Sequence, residues 1–178
     1  MGWQDQLKGD SPSWLLEGDS QGVRFLAMRD LSDSSPNSPE LPEARRRAHE
    51  EGPIASILAK MNEAGYWAKP GPGYEPKYRG TVWSLINLAQ LGAHASCDDR
   101  IGKAGSYILD HSLTDGGLFS MRGTPSTTLD CPQGNLCVSF RDLGFDDPRL
   151  DEAGGSGCGR AQRRDHDRRE GGVEPAAA

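Results

Sequence analysis

Apolar residues recur along much of this chain every three to four positions, which is the spacing of one face of an α-helix. Residues 53–61 show the pattern, with an apolar face formed by Ile54, Ile57, Leu58 and Met61. Runs that alternate apolar and polar residues, as half-buried strands do, are not found over any length. The pattern predicts an all-α protein, with other helices at residues 20–31, 39–51, 98–112 and 134–143.

The most apolar helix is predicted at residues 81–91, in the sequence TVWSLINLAQL. Its apolar residues lie nearly all around the helix rather than on one face, so we expect it to be buried on most sides. Gly92 follows directly and suits the position just after a helix, where a left-handed backbone is common.

Several features recur about 52 residues apart, which indicates an internal repeat. A glycine followed two residues later by an aromatic residue occurs at residues 65–67 and again at 117–119. Further pairs are Leu-Gly at 91–92 and 143–144, Asp-Asp at 98–99 and 146–147, and Gly80-Thr81 with Gly134-Asn135, which lie 54 apart. The predicted unit is an outer helix, a glycine–aromatic turn, a long loop, an apolar inner helix and an acidic N-cap for the next outer helix.

The first turn, in the sequence KMNEAGYW, resembles the repeat signature of squalene cyclases and protein prenyltransferases. That signature, Gln-x-x-Asp/Glu-Gly-x-Trp, links the outer and inner helices of an α/α toroid. The resemblance covers about residues 50–153 and implies a partial toroid of helical hairpins. The segment WLLEGDSQGVRFLAMRDL is also similar to the N-terminal part of bacterial proteins of this class that have no assigned function, some labelled nitrogen-fixation proteins. The resemblance implies that Trp67 and Phe119 fill the gap between neighbouring hairpins.

The catalytic motifs of the two families do not carry over to this chain. The cyclases use Asp-x-Asp-Asp, whereas SCDDR and GFDDP lack the first Asp, so helix capping explains both pairs better. The prenyltransferases bind zinc through an Asp, a Cys two residues later and a distant His, whereas Asp130 and Cys131 are adjacent here. Cys131 and Cys137 are also too far apart in sequence for a short-spaced structural zinc site. The sequence therefore predicts no metal, no cofactor and no identifiable catalytic residue.

A candidate binding site is predicted at the N-termini of the inner helices, which in a toroid point toward the mouth of the central cavity. Free N–H groups at such helix ends can hold an anion. The polar residues at these positions are Lys77, Tyr78, Arg79 and Thr81 in the first unit and Cys131, Gln133 and Asn135 in the second. They could bind an acidic or diphosphate-bearing ligand, or they could simply lie in hydrated loops.

Charge and composition limit the classes of partner and the cellular location that the sequence favours. The chain has 26 acidic and 20 basic residues and a net charge of −6, which disfavours nucleic acid as a partner. No apolar run approaches the roughly 20 residues of a membrane span, and the N-terminus lacks the apolar region of a secretory signal. Four cysteines in this context predict reduced thiols and a cytoplasmic location.

Three regions are predicted along the chain. Residues 1–42 form a helical segment and a Ser/Pro-rich linker, residues 43–153 hold the toroid repeats, and residues 154–178 form a disordered tail rich in Arg and Gly. A further outer helix is expected to begin at the sequence DDPRLDEA, but its apolar period stops partway. We therefore interpret the tail as the product of a shifted reading frame or a truncated gene. An open arc of hairpins would leave one apolar flank uncovered, which predicts self-association.

Three functions remain open from the sequence. The first is a toroid-type repeat protein that binds a ligand or partner on its concave face. The second is a terpenoid-cyclase-like or lyase-like enzyme that uses Lys77, Tyr78, Arg79 or Cys131 at the cavity mouth. The third is a HEAT-like scaffold for protein partners. A deep apolar cavity would favour the enzyme, and a shallow polar groove would favour the scaffold.

Overall fold

The computed structural model describes residues 8–32 and 38–152 of the chain. These residues form α-helices, one short 3-10 turn (Pro125–Thr127) and loops, so the all-α prediction is confirmed for them. The proposed disordered tail and part of the Ser/Pro-rich linker lie outside the described residues. The helices are α1 (Ser11–Leu15), α2 (Gln21–Asp30), α3 (Glu40–Glu50), α4 (Pro53–Leu58), α5 (Thr81–Gln90), α6 (Asp99–Ser112), α7 (Asp130–Asp142) and α8 (Pro148–Glu152).

The pair α2 and α3 packs side by side at the N-terminal end of the described chain. Phe25 of α2 has no exposed surface, and Ala44 and Ala48 of α3 are buried against the same core. The small alanine side chains let the two helices approach closely, while the exposed part of α3 carries ion pairs between Glu43 and its arginine neighbours. This division of α3 into a small-residue face and a charged face explains why a mostly polar sequence still forms a packed helix.

Helix α5 lies at the centre of the fold, in contact with α4, α6 and α7. Its prediction as a helix buried on most sides is confirmed, because Val82, Leu85 and Leu88 are each at most 2% exposed. Helix α6 buries the apolar face that its sequence spacing creates. The three members of this face, Ile101, Ala104 and Ile108, have no exposed surface.

The glycine–aromatic turns at residues 62–66 and 114–118 share the same backbone hydrogen bonds. The N–H of Asn62 donates to the carbonyl of Tyr66 at 2.8 Å, and the N–H of Thr114, 52 residues later, donates to Leu118 at 3.0 Å. Gly65 and its counterpart Gly117 both have a positive φ, of 96° and 70°. Glycine is required at both places because residues with a Cβ rarely adopt this conformation.

One aspartate of each acidic pair caps the start of a helix, as predicted. The carboxylate of Asp98 accepts the N–H of Arg100 at 2.9 Å at the start of α6. Asp147 accepts the N–H of Arg149 at 3.0 Å in front of α8. Each carboxylate therefore satisfies one of the free N–H groups of a helix start.

The predicted start of the seventh helix at Gly134 is wrong, because α7 begins at Asp130. Pro132 lies in the first turn, where its missing N–H costs nothing, and Gly134 lies inside the helix. Glycine costs only about 1 kcal/mol at such a position, and burial of Leu136 and Phe140 outweighs that cost. The glycine that ends the loop in the first unit therefore has no equivalent role in the second.

The cysteines differ from expectation at one position. Cys97 and Cys131 carry exposed free thiols. Cys137, on α7, takes part in a disulfide, so the expectation of four reduced thiols is wrong there.

Candidate functional site

The aromatic residue of the first turn is held between α4 and α5. Trp67 is 4% exposed, and its indole Nε1 donates to the carbonyl of Ile57 at 2.8 Å. Its backbone N–H donates to the hydroxyl of Thr81, the first residue of α5, at 3.1 Å. Trp67 thus joins the end of α4 to the start of α5, and the expectation that it is buried is confirmed.

The second turn reproduces this arrangement with different side chains. Phe119 is 1% exposed and stacks on Phe140 of α7, with 5.8 Å between ring centroids. Its backbone N–H donates to the side-chain oxygen of Gln133 on α7 at 2.8 Å. Gln133 therefore occupies the role of Thr81, at an offset of 52 residues, and the sequence pairing of Thr81 with Asn135 is a misalignment of two residues.

These contacts give Thr81 a structural role that can be measured. Thr81 has no exposed surface, so Thr81→Val would leave the buried N–H of Trp67 without an acceptor. We expect the free energy of unfolding to fall by about 1–3 kcal/mol in urea titrations. Thr81→Ser keeps the hydroxyl and should lose less. A smaller loss in Thr81→Val than in Thr81→Ser would show that the methyl group, which valine keeps, matters more than the hydrogen bond.

A cavity of about 300 Å³ opens beside this turn, at the N-terminal part of α5. Trp67 and Ile57 supply apolar wall, and the lysine and arginine side chains supply positive charge. The cavity is lined by Ile57, Lys60, Trp67, Ala68, Tyr78, Arg79, Ser84 and Asn87.

Tyr78 and Arg79 are the two sequence-predicted site residues that line this cavity. Tyr78 is 68% exposed and has a positive φ of 65°, a strained conformation for a non-glycine residue. Its ring lies 4.9 Å from the ring of Trp83, which anchors it to α5. Strained residues are concentrated at ligand sites, so this backbone conformation supports a functional role for Tyr78.

Lys77 lies next to this cavity but is not part of its lining. Its Nζ lies 5.0 Å from the centroid of the Tyr78 ring. Hydrogen bonding to the Tyr78 hydroxyl, with the negative charge of that group when ionised, raises the pKa of Lys77. The ammonium group therefore stays charged at neutral pH and adds to the positive potential around Tyr78.

The predicted residues of the second unit do not join this cavity. Cys131 and Asn135 are exposed on the first turns of α7, with the Asn135 amide nitrogen 3.5 Å from the Cys131 sulfur. The side-chain amide of Gln133 is hydrogen-bonded to both the N–H and the carbonyl of Phe119. The structure therefore brings together Tyr78 and Arg79, with Lys77 beside them, and leaves Cys131 and Asn135 on a separate helix. Ligand contact by any of these residues stays a prediction.

Sequence reasoning missed three polar residues of the cavity, which are Lys60, Ser84 and Asn87. A signal was present for two of them. Ser84 and Asn87 are polar residues three positions apart in an otherwise apolar helix, so they share one face. Lys60 gave no signal, because only the fold places the end of α4 beside α5.

The described residues meet neither the requirements of a metal site nor those of a membrane-spanning helix. Within residues 8–32 and 38–152, no group of three or more His, Cys, Asp or Glu side chains is arranged to hold a metal ion. None of the helices in those ranges has both the length and the apolar character needed to cross a bilayer.

Comparison with models of known protein families, with curated proteins and with solved structures finds no significant match to this chain. The site must therefore be interpreted from its own geometry and chemistry.

Proposed function

We propose that this chain is a helical-repeat protein of the squalene cyclase and prenyltransferase type, a partial α/α toroid, that binds a small anionic ligand at the N-terminal end of α5. The equivalent turns around Trp67 and Phe119, joined to their following helices by hydrogen bonds 52 residues apart, support the repeat. In a toroid the cavity beside α5 would lie at the mouth of the concave face.

The observation that carries the ligand proposal is the pairing of two cations with an aromatic and apolar wall. Lys60 and Arg79 line the cavity, and neither forms an ion pair with another residue that the structure describes. Unpaired cations beside Trp67 and Tyr78 suit a ligand that has a negative group and an apolar or planar body. The volume of about 300 Å³ is at the small end of ligand sites, so the ligand is a small molecule rather than a polymer.

The side chains of Lys60 and Arg79 are exposed to solvent, which sets the strength of binding. Exposed charges are screened by salt over about 8–10 Å at physiological ionic strength. We therefore expect modest affinity that weakens as salt is added.

The proposal is tested by titrating the protein with 8-anilinonaphthalene-1-sulfonate and, separately, with inorganic pyrophosphate. Lys60→Gln combined with Arg79→Gln should weaken binding at least tenfold, which corresponds to about 1.4 kcal/mol. Arg122→Gln is the matched control, because Arg122 is an exposed cation in the loop of the second unit. Loss of binding in the control as well, or no saturable binding of either probe, would contradict the proposal.

The two probes separate the parts of the ligand. Binding of pyrophosphate alone would mean that charge suffices, whereas binding of the naphthalene sulfonate alone would show that the aromatic wall is needed. Lys77→Ala combined with Tyr78→Ala should weaken the naphthalene sulfonate more than pyrophosphate, since Tyr78 supplies the ring. If the double variant bound the naphthalene sulfonate as tightly as the wild type does, a role for Tyr78 would be contradicted.

A further inference from the structure

A buried histidine on α3 makes a hydrogen bond that depends on its charge. His49 is 6% exposed, and its Nε2 accepts the backbone N–H of His94 at 3.2 Å. Only a neutral imidazole can accept at Nε2, so the ring proton lies on Nδ1. That Nδ1 is buried and has no hydrogen-bond partner among the described residues.

The surroundings of His49 disfavour a second proton. Arg45 lies one turn earlier on α3, Arg100 lies at the start of α6, and the ring of His94 faces it from the loop after α5. Asp98, the N-cap of α6, is the group that favours protonation. Burial is the largest cause that lowers the pKa of His49, and Arg45, His94 and Arg100 lower it further.

The loop held by His49 joins three parts of the fold. The N–H of Ala95 donates to the carbonyl of Leu143, at the end of α7, at 2.8 Å. The His94 ring packs on Gly144 so closely that a Cβ at that glycine would overlap it. Asp98 then caps the start of α6. The loop from residue 93 to residue 98 thus connects α3 to the end of α7.

We propose that the hydrogen bond between His49 and His94 is a pH-sensitive connection, and that protonation of His49 releases the 93–98 loop from α3. The added proton converts the Nε2 acceptor into a donor that faces the donor N–H of His94. It also places a positive charge among Arg45, Arg100 and the ring of His94, where Asp98 is the carboxylate that partly offsets it.

The direction of the pH effect follows from linkage. An exposed or unfolded histidine has a pKa of about 6.5, and the folded pKa of His49 lies below that. Above about pH 6.5 both states are neutral, and stability does not depend on this group. As pH falls below about 6.5, His49 becomes protonated more readily when the 93–98 loop is released (the open state) than when the hydrogen bond to His94 is formed (the closed state). The stability of the closed state therefore declines.

The test is amide hydrogen exchange of the whole chain, measured by NMR between about pH 7.5 and 5.5. The ratio of the His94 protection factor to that of Ile108, inside α6, should fall as pH is lowered over this range. The fall is at most about tenfold at pH 5.5, because that is the gain from protonating an open state with a pKa of about 6.5. His49→Gln places an amide oxygen where Nε2 accepts and cannot titrate, so its ratio should stay constant.

His111→Gln is the control, because His111 is an exposed histidine at the end of α6, and its ratio should fall as in the wild type. An unchanged ratio in the wild type, or an equal fall in His49→Gln, would overturn the proposal. Should His49→Gln fail to fold, ring titration in the wild type decides. A His49 ring that titrates at about 6.5 with no change at the His94 amide would also overturn it.

Discussion

Replacing Trp67 with alanine is expected to cause the largest loss of stability of any single substitution considered for this protein. The side chain is 4% exposed and contacts α4 through its indole N–H and the core through its ring. Truncation of a buried tryptophan leaves a cavity and removes the transfer free energy of the ring, which together cost about 3–5 kcal/mol. The free energy of unfolding from urea titration should fall by this amount.

Trp14→Ala is the matched control for this experiment. Trp14 is 67% exposed on α1, so its loss should change the free energy of unfolding by at most about 0.5 kcal/mol. A change of under about 1 kcal/mol in Trp67→Ala would mean that the turn is not part of the cooperative core. Because Trp67 also lines the cavity, probe binding should be lost in the same variant.

The second large effect is expected at Gly80, the residue before α5. Here the backbone of one loop segment passes against another, and a Cβ on Gly80 would overlap the carbonyl oxygen of Gly73. The N–H of Val82 donates to that same carbonyl at 3.1 Å, which fixes both segments. A methyl group here meets backbone that cannot rotate away, so Gly80→Ala should destabilise the fold by about 1–3 kcal/mol or more.

Gly134→Ala is the control, at the position that the sequence alone pairs with Gly80. Gly134 lies inside α7, and a Cβ there meets nothing within 4 Å. Alanine is a better helix former than glycine, so this change should stabilise the protein by about 0.5–1 kcal/mol. Thermal melting of the two variants should therefore shift in opposite directions. Shifts of the same sign would contradict the conclusion that Gly80 is sterically constrained and Gly134 is not.

The loop fixed by Gly80 also positions the candidate site. Tyr78 and Arg79 directly precede this glycine, and Trp83 of α5 holds the Tyr78 ring at 4.9 Å. A distortion at Gly80 should therefore weaken probe binding even under conditions where Gly80→Ala is fully folded. This coupling links the stability of the turn to the proposed function.

The helices were predictable where the apolar pattern was strong. The faces of α5 and α6 follow from local spacing, because apolar residues at helical intervals can be buried only on a helix. The start of α7 was not predictable from local signals. Gly134 reads as a loop residue, but burial of Leu136 and Phe140 extends the helix past it to Asp130.

The candidate site was predictable in part for a similar reason. Tyr78 and Arg79 adjoin each other in sequence and precede a strong helix, so their place near its N-terminus could be inferred. Lys60 joins them in the cavity only because α4 packs against α5. The contact between His49 and His94 spans 45 residues and has no sequence signature.

The sequence by itself determined the all-α class, the buried helix α5 and the capping aspartates. Each of these depends on residues close in the chain, where spacing and local hydrogen bonding suffice. The tertiary structure alone decided that Thr81 and Gln133 accept the N–H groups of the turn aromatics. It alone also gathered Lys60 with Arg79 and placed His49 against the loop after α5. Those contacts depend on how helices pack, and packing is set by the shape of the whole core rather than by any one segment.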